Sequence, residues 1–279
     1  MTTALYHLEN RQVFSLTGKD RLTFLQGLIT SNVRRISDGG ALYAALLTPQ
    51  GKYLFDFFLY AAADVVYLDC EKDRAAELLR KLMMYKLRAE VEISDETDRL
   101  KILSLDSPLE GTLACFQDPR LPALGYRAVV EDLPEDCLSP GKADYDRKRL
   151  ALGIAEGADD FIIDKSLALE GNMEELHGVD FDKGCYVGQE ITARTKHRGK
   201  IRRRFVPVTV SGPLPAPDSP VLNREGQEIG ILRSGIDKRA MAYVKLEKLD
   251  FSQSYTCGQA EVTPWKPDWM KVEEHVDAN

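Results

Sequence analysis

Cysteine is scarce in this chain and scattered. Its five copies (Cys70, Cys115, Cys137, Cys185 and Cys257) are odd in number, and they form no CxxC pair and no cysteine–histidine spacing. That excludes a disulfide framework and a self-contained zinc site, and it fits a reducing compartment. A bound metal would take one ligand from this chain, with a partner or small molecule completing its site. No apolar run is long enough to span a bilayer, so no membrane role is expected. The opening MTTALYHLENR lacks the charged-then-apolar pattern of a secretory signal. The expected compartment is the cytoplasm, or an organellar matrix for a chain whose targeting segment has been removed. Basic charge is not in excess either: 37 basic against 44 acidic residues give a formal charge of −7. That argues against a general nucleic-acid coat or membrane-surface protein, so any anion binding must be local. Repeats and low-complexity tracts are also absent.

What is present suits a globular protein of two or three domains: 279 residues, 44% hydrophobic and 29% charged. One stretch stands apart, Lys183-Gly184-Cys185-Tyr186-Val187-Gly188-Gln189-Glu190, with the basic run behind it to Arg204. Lys183-Gly184 reads as a tight turn, because glycine reaches backbone angles closed to other residues. The spacing predicts a short helix over 187–196, in which Glu190 lies one turn before Arg194, the favoured order for an acid–base pair. Cys185 then falls at or just before a helix N-terminus, where unpaired N–H groups favour an anion. A free thiol of pKa about 8.5 needs roughly 2 kcal/mol to become half ionised at neutral pH. A helix end supplies about 0.3–1 kcal/mol, so Lys183 or another cation must supply the rest. The alternative is a small buried apolar residue, as lone intracellular cysteines most often are.

Arg194, Lys196, Arg198, Lys200, Arg202, Arg203 and Arg204 place seven cations in eleven residues. A solvated strand edge needs fewer, so an anionic ligand or partner is favoured. With a strand beginning near Lys200, Arg202 and Arg204 share one face. No aromatics interleave with these cations, which argues against direct nucleic-acid binding.

Upstream, 5–16 contains a strand, and Asp20 caps a helix with Leu22, Leu25, Leu28 and Ile29 on one face. Strands over 42–48 and 53–60 flank a hairpin turn at Pro49-Gln50-Gly51-Lys52. Alternation in the second puts Tyr53, Phe55, Phe57 and Leu59 on one face and Leu54, Asp56, Phe58 and Tyr60 on the other. Both faces read as buried, so Asp56 is a carboxylate in apolar surroundings, where an unpaired charge costs several kcal/mol. Either a fixed partner compensates it, or the strand opens onto a ligand pocket. A strand over 65–69 and an amphipathic helix over 71–87 follow, the helix with Ala75, Leu78, Leu79, Leu82 and Met83 on its apolar face. Strands near Val91, Ile102, Leu113 and Val129 complete an α+β module of split βαβ type. Met83-Met84-Tyr85 is assigned to the core. Residues 142–152 form a charged helix with a solvated outer face, Asp159-Asp160 a turn, and His177 a satisfied structural histidine. Prolines at 213, 215, 217 and 220 make a stiff loop. The short strands after it read as a small antiparallel barrel or sandwich, with Trp265 and Trp269 as a lid.

The stretch KGCYVGQEITART resembles the signature of the YgfZ family of folate-binding, iron–sulfur-maintenance proteins, especially its mitochondrial iron–sulfur assembly branch. That family is related to the aminomethyltransferase (T-protein) of the glycine cleavage system. GKDRLTFLQGLIT at 18–30 and LTPQGKYLFDFFLY at 47–60 extend the likeness over most of the chain. The resemblance implies an α+β fold of three modules around a central hole. These are a discontinuous domain from 1–50 and 141–199, an inserted ferredoxin-like domain over 51–140, and a C-terminal β-barrel over 200–279. It implies an accessory protein that binds tetrahydrofolate and works with iron–sulfur assembly proteins and client enzymes. In some members it is linked to tRNA modification that depends on such enzymes. Cys185 would be the functional thiol, either a redox-sensitive group or an iron–sulfur cluster ligand shared with a partner, with Lys183 and Gly184 shaping its setting. Asp56, Tyr186, Gln189, Glu190, Arg194 and Arg198 are the candidate folate contacts. The alternative is a tetrahydrofolate-dependent aminomethyltransferase, with Asp56 catalytic. Two departures count against it. The adjacent acids of the transferase strand read Phe55-Asp56 here, and its folate-contacting glutamate aligns near Gly153, with Glu156 the nearest acid. A transferase needs such carboxylates in position.

Overall fold

The β-branched and aromatic runs of the chain form three antiparallel sheets in a computed structural model that describes residues 4–36 and 40–271. A five-stranded sheet has the order β3 (Ala41–Leu47), β4 (Tyr53–Ala62), β5 (Val65–Glu71), β2 (Arg11–Thr17) and β6 (Glu92–Asp95). A four-stranded sheet has the order β1 (Leu5–His7), β7 (Lys101–Leu105), β9 (Tyr126–Val130) and β8 (Ala114–Gln117). The closed barrel runs β10 (Arg203–Ser211), β13 (Arg239–Lys245), β12 (Glu228–Ile236), β11 (Pro220–Leu222), β14 (Tyr255–Cys257) and β15 (Ala260–Pro264). The helices are α1 (Arg21–Gln26), α2 (Lys72–Lys86), α3 (Lys142–Ala151), the single turn α4 (Gly157–Asp160) and α5 (Gln189–Arg198).

The mixed α+β class and the closing barrel agree with the sequence. The boundary at residue 50 falls inside the β3–β4 hairpin, whose turn is closed by Gly51 N–H donating to the Thr48 carbonyl at 2.8 Å. β7 pairs with β1 and β9, so the strands of the expected ferredoxin-like segment are shared between two sheets.

Helix α2 buries Ala75, Leu78 and Leu82 against the five-stranded sheet. Met83 and Met84 instead face solvent, which corrects their assignment to the core: successive helical steps carry them past the buried stripe. Trp269 is no lid on the barrel. Its Nε1–H donates to the Leu152 carbonyl at 2.9 Å, strapping the chain's last described residues to the end of α3.

Where the sheets, α3 and the barrel meet, the interior is ionic. Glu156 accepts from Arg120 Nη1 at 2.5 Å and from the Tyr145 hydroxyl, and lies 3.7 Å from Arg11 Nη1. Arg11 and Arg127 each reach Asp69 at 2.6 Å. The charged helix α3 turns Arg149 inward to Asp160 at 2.8 Å, and Asp160 also accepts from Ser234 of β12. Three guanidiniums, of Arg11, Arg120 and Arg127, sit 5.7, 4.7 and 4.0 Å from the Phe58 ring centroid. Burial by itself would raise the Glu156 carboxyl. The charges of Arg120, Arg11, Arg149 and Arg127 outweigh it and hold the group far below the usual carboxylate range.

Glu156→Gln leaves buried Arg120 undercompensated and is expected to cost about 3–5 kcal/mol. Because the folded pKa lies below the ordinary 4.5, Glu156 stabilises fully above that pH and progressively less as pH falls beneath it. Urea unfolding across that range should therefore show a steeper acid loss for the wild type than for Glu156→Gln. Parallel curves would refute the assignment.

Candidate functional site

The signature stretch is a loop pinned at both ends. Lys183 is buried, and its Nζ donates to the carbonyls of Ile29 at 2.5 Å and Ser31 at 2.9 Å, just beyond α1. Burial lowers its amine to about 8. The same Nζ lies 5.0 Å from the ring centroid of Tyr186, itself buried, whose phenol burial raises to about 12. Val187 N–H donates to the Gly27 carbonyl at 3.2 Å. Between these anchors Gly184 and Cys185 are exposed, and Cys185 is the only one of the five free cysteines that is fully so. The buried-apolar alternative for Cys185 is thereby overturned.

Two expectations about this loop are corrected. Helix α5 begins at Gln189, so Cys185 stands three residues before the cap Gly188 rather than at the helix end. Nor does the turn depend on Gly184, at which an added Cβ would meet nothing within 4 Å. The glycines that matter are Gly188 (φ +85°) and Gly51 (φ +71°). A Cβ on Gly188 would come within 2.6 Å of the Thr48 carbonyl oxygen, and one on Gly51 within 2.9 Å of Ile191 Cβ. The β3–β4 turn and the start of α5 touch backbone to backbone, which only glycine permits there.

Asp56 is buried and bonded rather than open. Its two oxygens accept from Tyr43 Oη at 2.8 Å and Tyr53 Oη at 2.5 Å, and burial, then the Asp56 charge, push both phenols well above their ordinary value. Strict alternation puts Tyr53 on the opposite face from Asp56. The register slips between Leu46 and Leu47, so that Leu46 faces Phe55 while Leu47 faces Tyr53, and this bulge at Leu54 brings Tyr53 over to Asp56.

The remaining candidates lie on α5. Gln189 is half-buried, while Glu190, Arg194 and Arg198 are exposed, and no ion pair joins Glu190 to Arg194 among the described residues. Of the basic run, Lys196 pairs with Glu174 at 2.5 Å, and buried Arg204 bonds Glu175 and the Lys271 carbonyl. The strand begins at Arg203, whose guanidinium lies 5.5 Å from the Tyr243 ring centroid. Arg194, Arg198, Lys200 and Arg202 remain exposed. His197 packs edge-on to Phe181 at 6.1 Å, so the end of α5 folds back beside the start of the signature loop. His177 is exposed with φ +57°.

A cleft of about 340 Å³ between α3, α4 and the barrel is lined by Lys142, Asp146, Arg149, Asp159 and Arg233, all paired internally. A groove of about 640 Å³ lies along 109–113 and 130–135. Neither includes Asp56 or Cys185. The ion network around Glu156 is what residue-by-residue reading missed. Its partners are far apart in sequence, and the nearest signal was the position of Glu156 itself.

Gly188→Ala is expected to cost about 1–2 kcal/mol from its left-handed backbone alone, before the clash with the hairpin. Gly184→Ala should stay within about 0.5 kcal/mol of wild type. Equal losses for the two in urea unfolding would contradict the assignment of roles.

Comparison with known proteins adds to this geometry. The family described as CAF17, C-terminal beta-barrel domain, matches residues 202–272, which hold the barrel. The mitochondrial iron–sulfur cluster assembly factor IBA57 of Mus musculus is 32% identical over 302 aligned positions, covering 95% of this chain and 84% of that protein. Its Homo sapiens counterpart is 30% identical, covering 95% and 85%. The mitochondrial IBA57 homolog of Neurospora crassa is 32% identical over 79% of this chain, which spans only 56% of that longer protein. In fold, the chain is similar to the glycine cleavage system aminomethyltransferase T from Bartonella henselae, with a TM-score of 0.77 at 16% identity over 96% of this chain and 86% of that one. Identity over nearly the whole length, with the barrel match, shows that the chain belongs to the IBA57 family of iron–sulfur cluster assembly factors.

Proposed function

We propose that this protein serves the assembly or repair of iron–sulfur clusters, with Cys185 as a shared ligand to a cluster that is its cargo. The supporting observation is the exposure of Cys185 on a loop otherwise fixed by Lys183, Tyr186 and Gly188. A fixed loop presents the sulfur with little ordering cost. On binding, the thiol gives up its proton and the sulfur donates an electron pair to one iron, with no change in oxidation state. No group of three or more His, Cys, Asp or Glu residues suited to a metal occurs among the described residues, so the other iron ligands come from a partner protein or small thiols. The exposed cations Arg194, Arg198, Lys200 and Arg202 would meet the negative charge of that partner and its thiolate-bound cluster. All five cysteines are free, which suits a reducing compartment, organellar or cytoplasmic.

Tetrahydrofolate fits less well. Asp56 is buried beneath two tyrosines, whereas Glu190, Arg194 and Arg198 are on the exposed face of α5. An aminomethyl transfer would need a free carboxylate, and both Asp56 and Glu156 are engaged by fixed donors. The assembly reading therefore stands ahead of the transferase reading.

Cys185→Ala should leave thermal unfolding unchanged and abolish rescue of cluster-enzyme activity in a strain deleted for this protein. Full rescue by the variant would remove the cysteine from the account.

A further inference from the structure

The last turn of α2 carries a second exposed surface. Met83, Met84 and Leu87 are 50%, 68% and 87% exposed, and their spacing puts them on one side of the helix end. Leu87 follows the helix at φ +46°, ψ −106°, a backbone geometry that bulky residues rarely adopt. Such strain clusters where function holds a side chain in place.

Cations surround this apolar tip. Arg80 and Arg88 are exposed and Lys81 and Lys86 partly so, and none of the four side chains has an ion pair or hydrogen bond among the described residues. Two acids of this stretch are already engaged: Glu77 pairs with Arg74, and Glu90 with Lys19. In a chain of net charge −7, this is a local reversal of sign around protruding apolar side chains.

We propose that this tip is a peripheral contact for an anionic lipid bilayer, with Met83, Met84 and Leu87 entering the headgroup boundary and the four cations meeting lipid phosphates. Three observations select this occupant. A second copy docking by the same face would set cation against cation. The exposed positions in the first two turns of α2, Lys72, Asp73 and Ala76, carry charge or a lone methyl group. The apolar contact is therefore one turn wide, far below the about 800 Å² per partner of a standard protein interface. The side chains project outward instead of lining a groove. No described helix is long and apolar enough to cross a membrane, so the contact is reversible and depends on charge. It departs from the expectation of no membrane role only at this tip.

The test is co-sedimentation of the full chain with vesicles of phosphatidylcholine, alone or with about one third phosphatidylglycerol. The chain is expected to pellet with the anionic vesicles only and to be released by high salt. Each of Arg80→Gln, Lys81→Gln, Lys86→Gln and Arg88→Gln should weaken partitioning about fivefold. Met84→Glu/Leu87→Glu should lower it tenfold or more at unchanged circular dichroism. No pelleting of the wild type overturns the proposal, as does equal binding to neutral vesicles. So does a change in sedimentation coefficient of the Glu variant without lipid, which would make the tip a protein interface. None of these outcomes bears on Cys185.

Discussion

The role proposed for Cys185 depends on one ammonium group held between two backbone carbonyls. Lys183 closes the gap between the signature loop and the segment after α1 by donating to Ile29 and Ser31, and Tyr186 covers the clamp from the other side. Burying an amine is costly, as its lowered pKa shows, and the two carbonyls offset much of that cost. The consequence is positional. Residues 183 and 186 are fixed inside the protein, so the two between them are displayed outside it. The contact of Gly51 with Gly188 then fixes where α5 starts, and with it the line of exposed cations beyond the loop.

The interior supports that display by being rigid rather than open. Four buried guanidiniums and their carboxylates tie strands of two sheets, α3 and the barrel into one network. Buried ion pairs of this kind add little net stability over apolar packing, yet removing one member is expensive. Their effect is to fix the relative placement of parts that meet at the junction. Asp56 belongs to the same polar interior, and its two tyrosine hydroxyls account for a carboxyl group in apolar surroundings.

Much of this was legible in the sequence where the signal was local. The β3–β4 hairpin and helix α2 follow from periodicity and turn residues, and each falls within a few residues of its expected place. The loop around Cys185 could be singled out from composition. What failed was whatever depends on a third dimension. A bulge at Leu54 moved Tyr53 to the other face, a shift that alternation cannot foresee. Arg149 reads as surface charge on α3 until Asp160 is seen beside it.

The most direct test is anaerobic reconstitution of the purified protein with iron, sulfide and glutathione, followed by visible absorption and Mössbauer spectra. The wild type should acquire cluster absorption with a thiolate signature, and Cys185→Ser should acquire none while unfolding at the same urea concentration. Equal cluster uptake by the two proteins would show that the displayed sulfur is not the ligand.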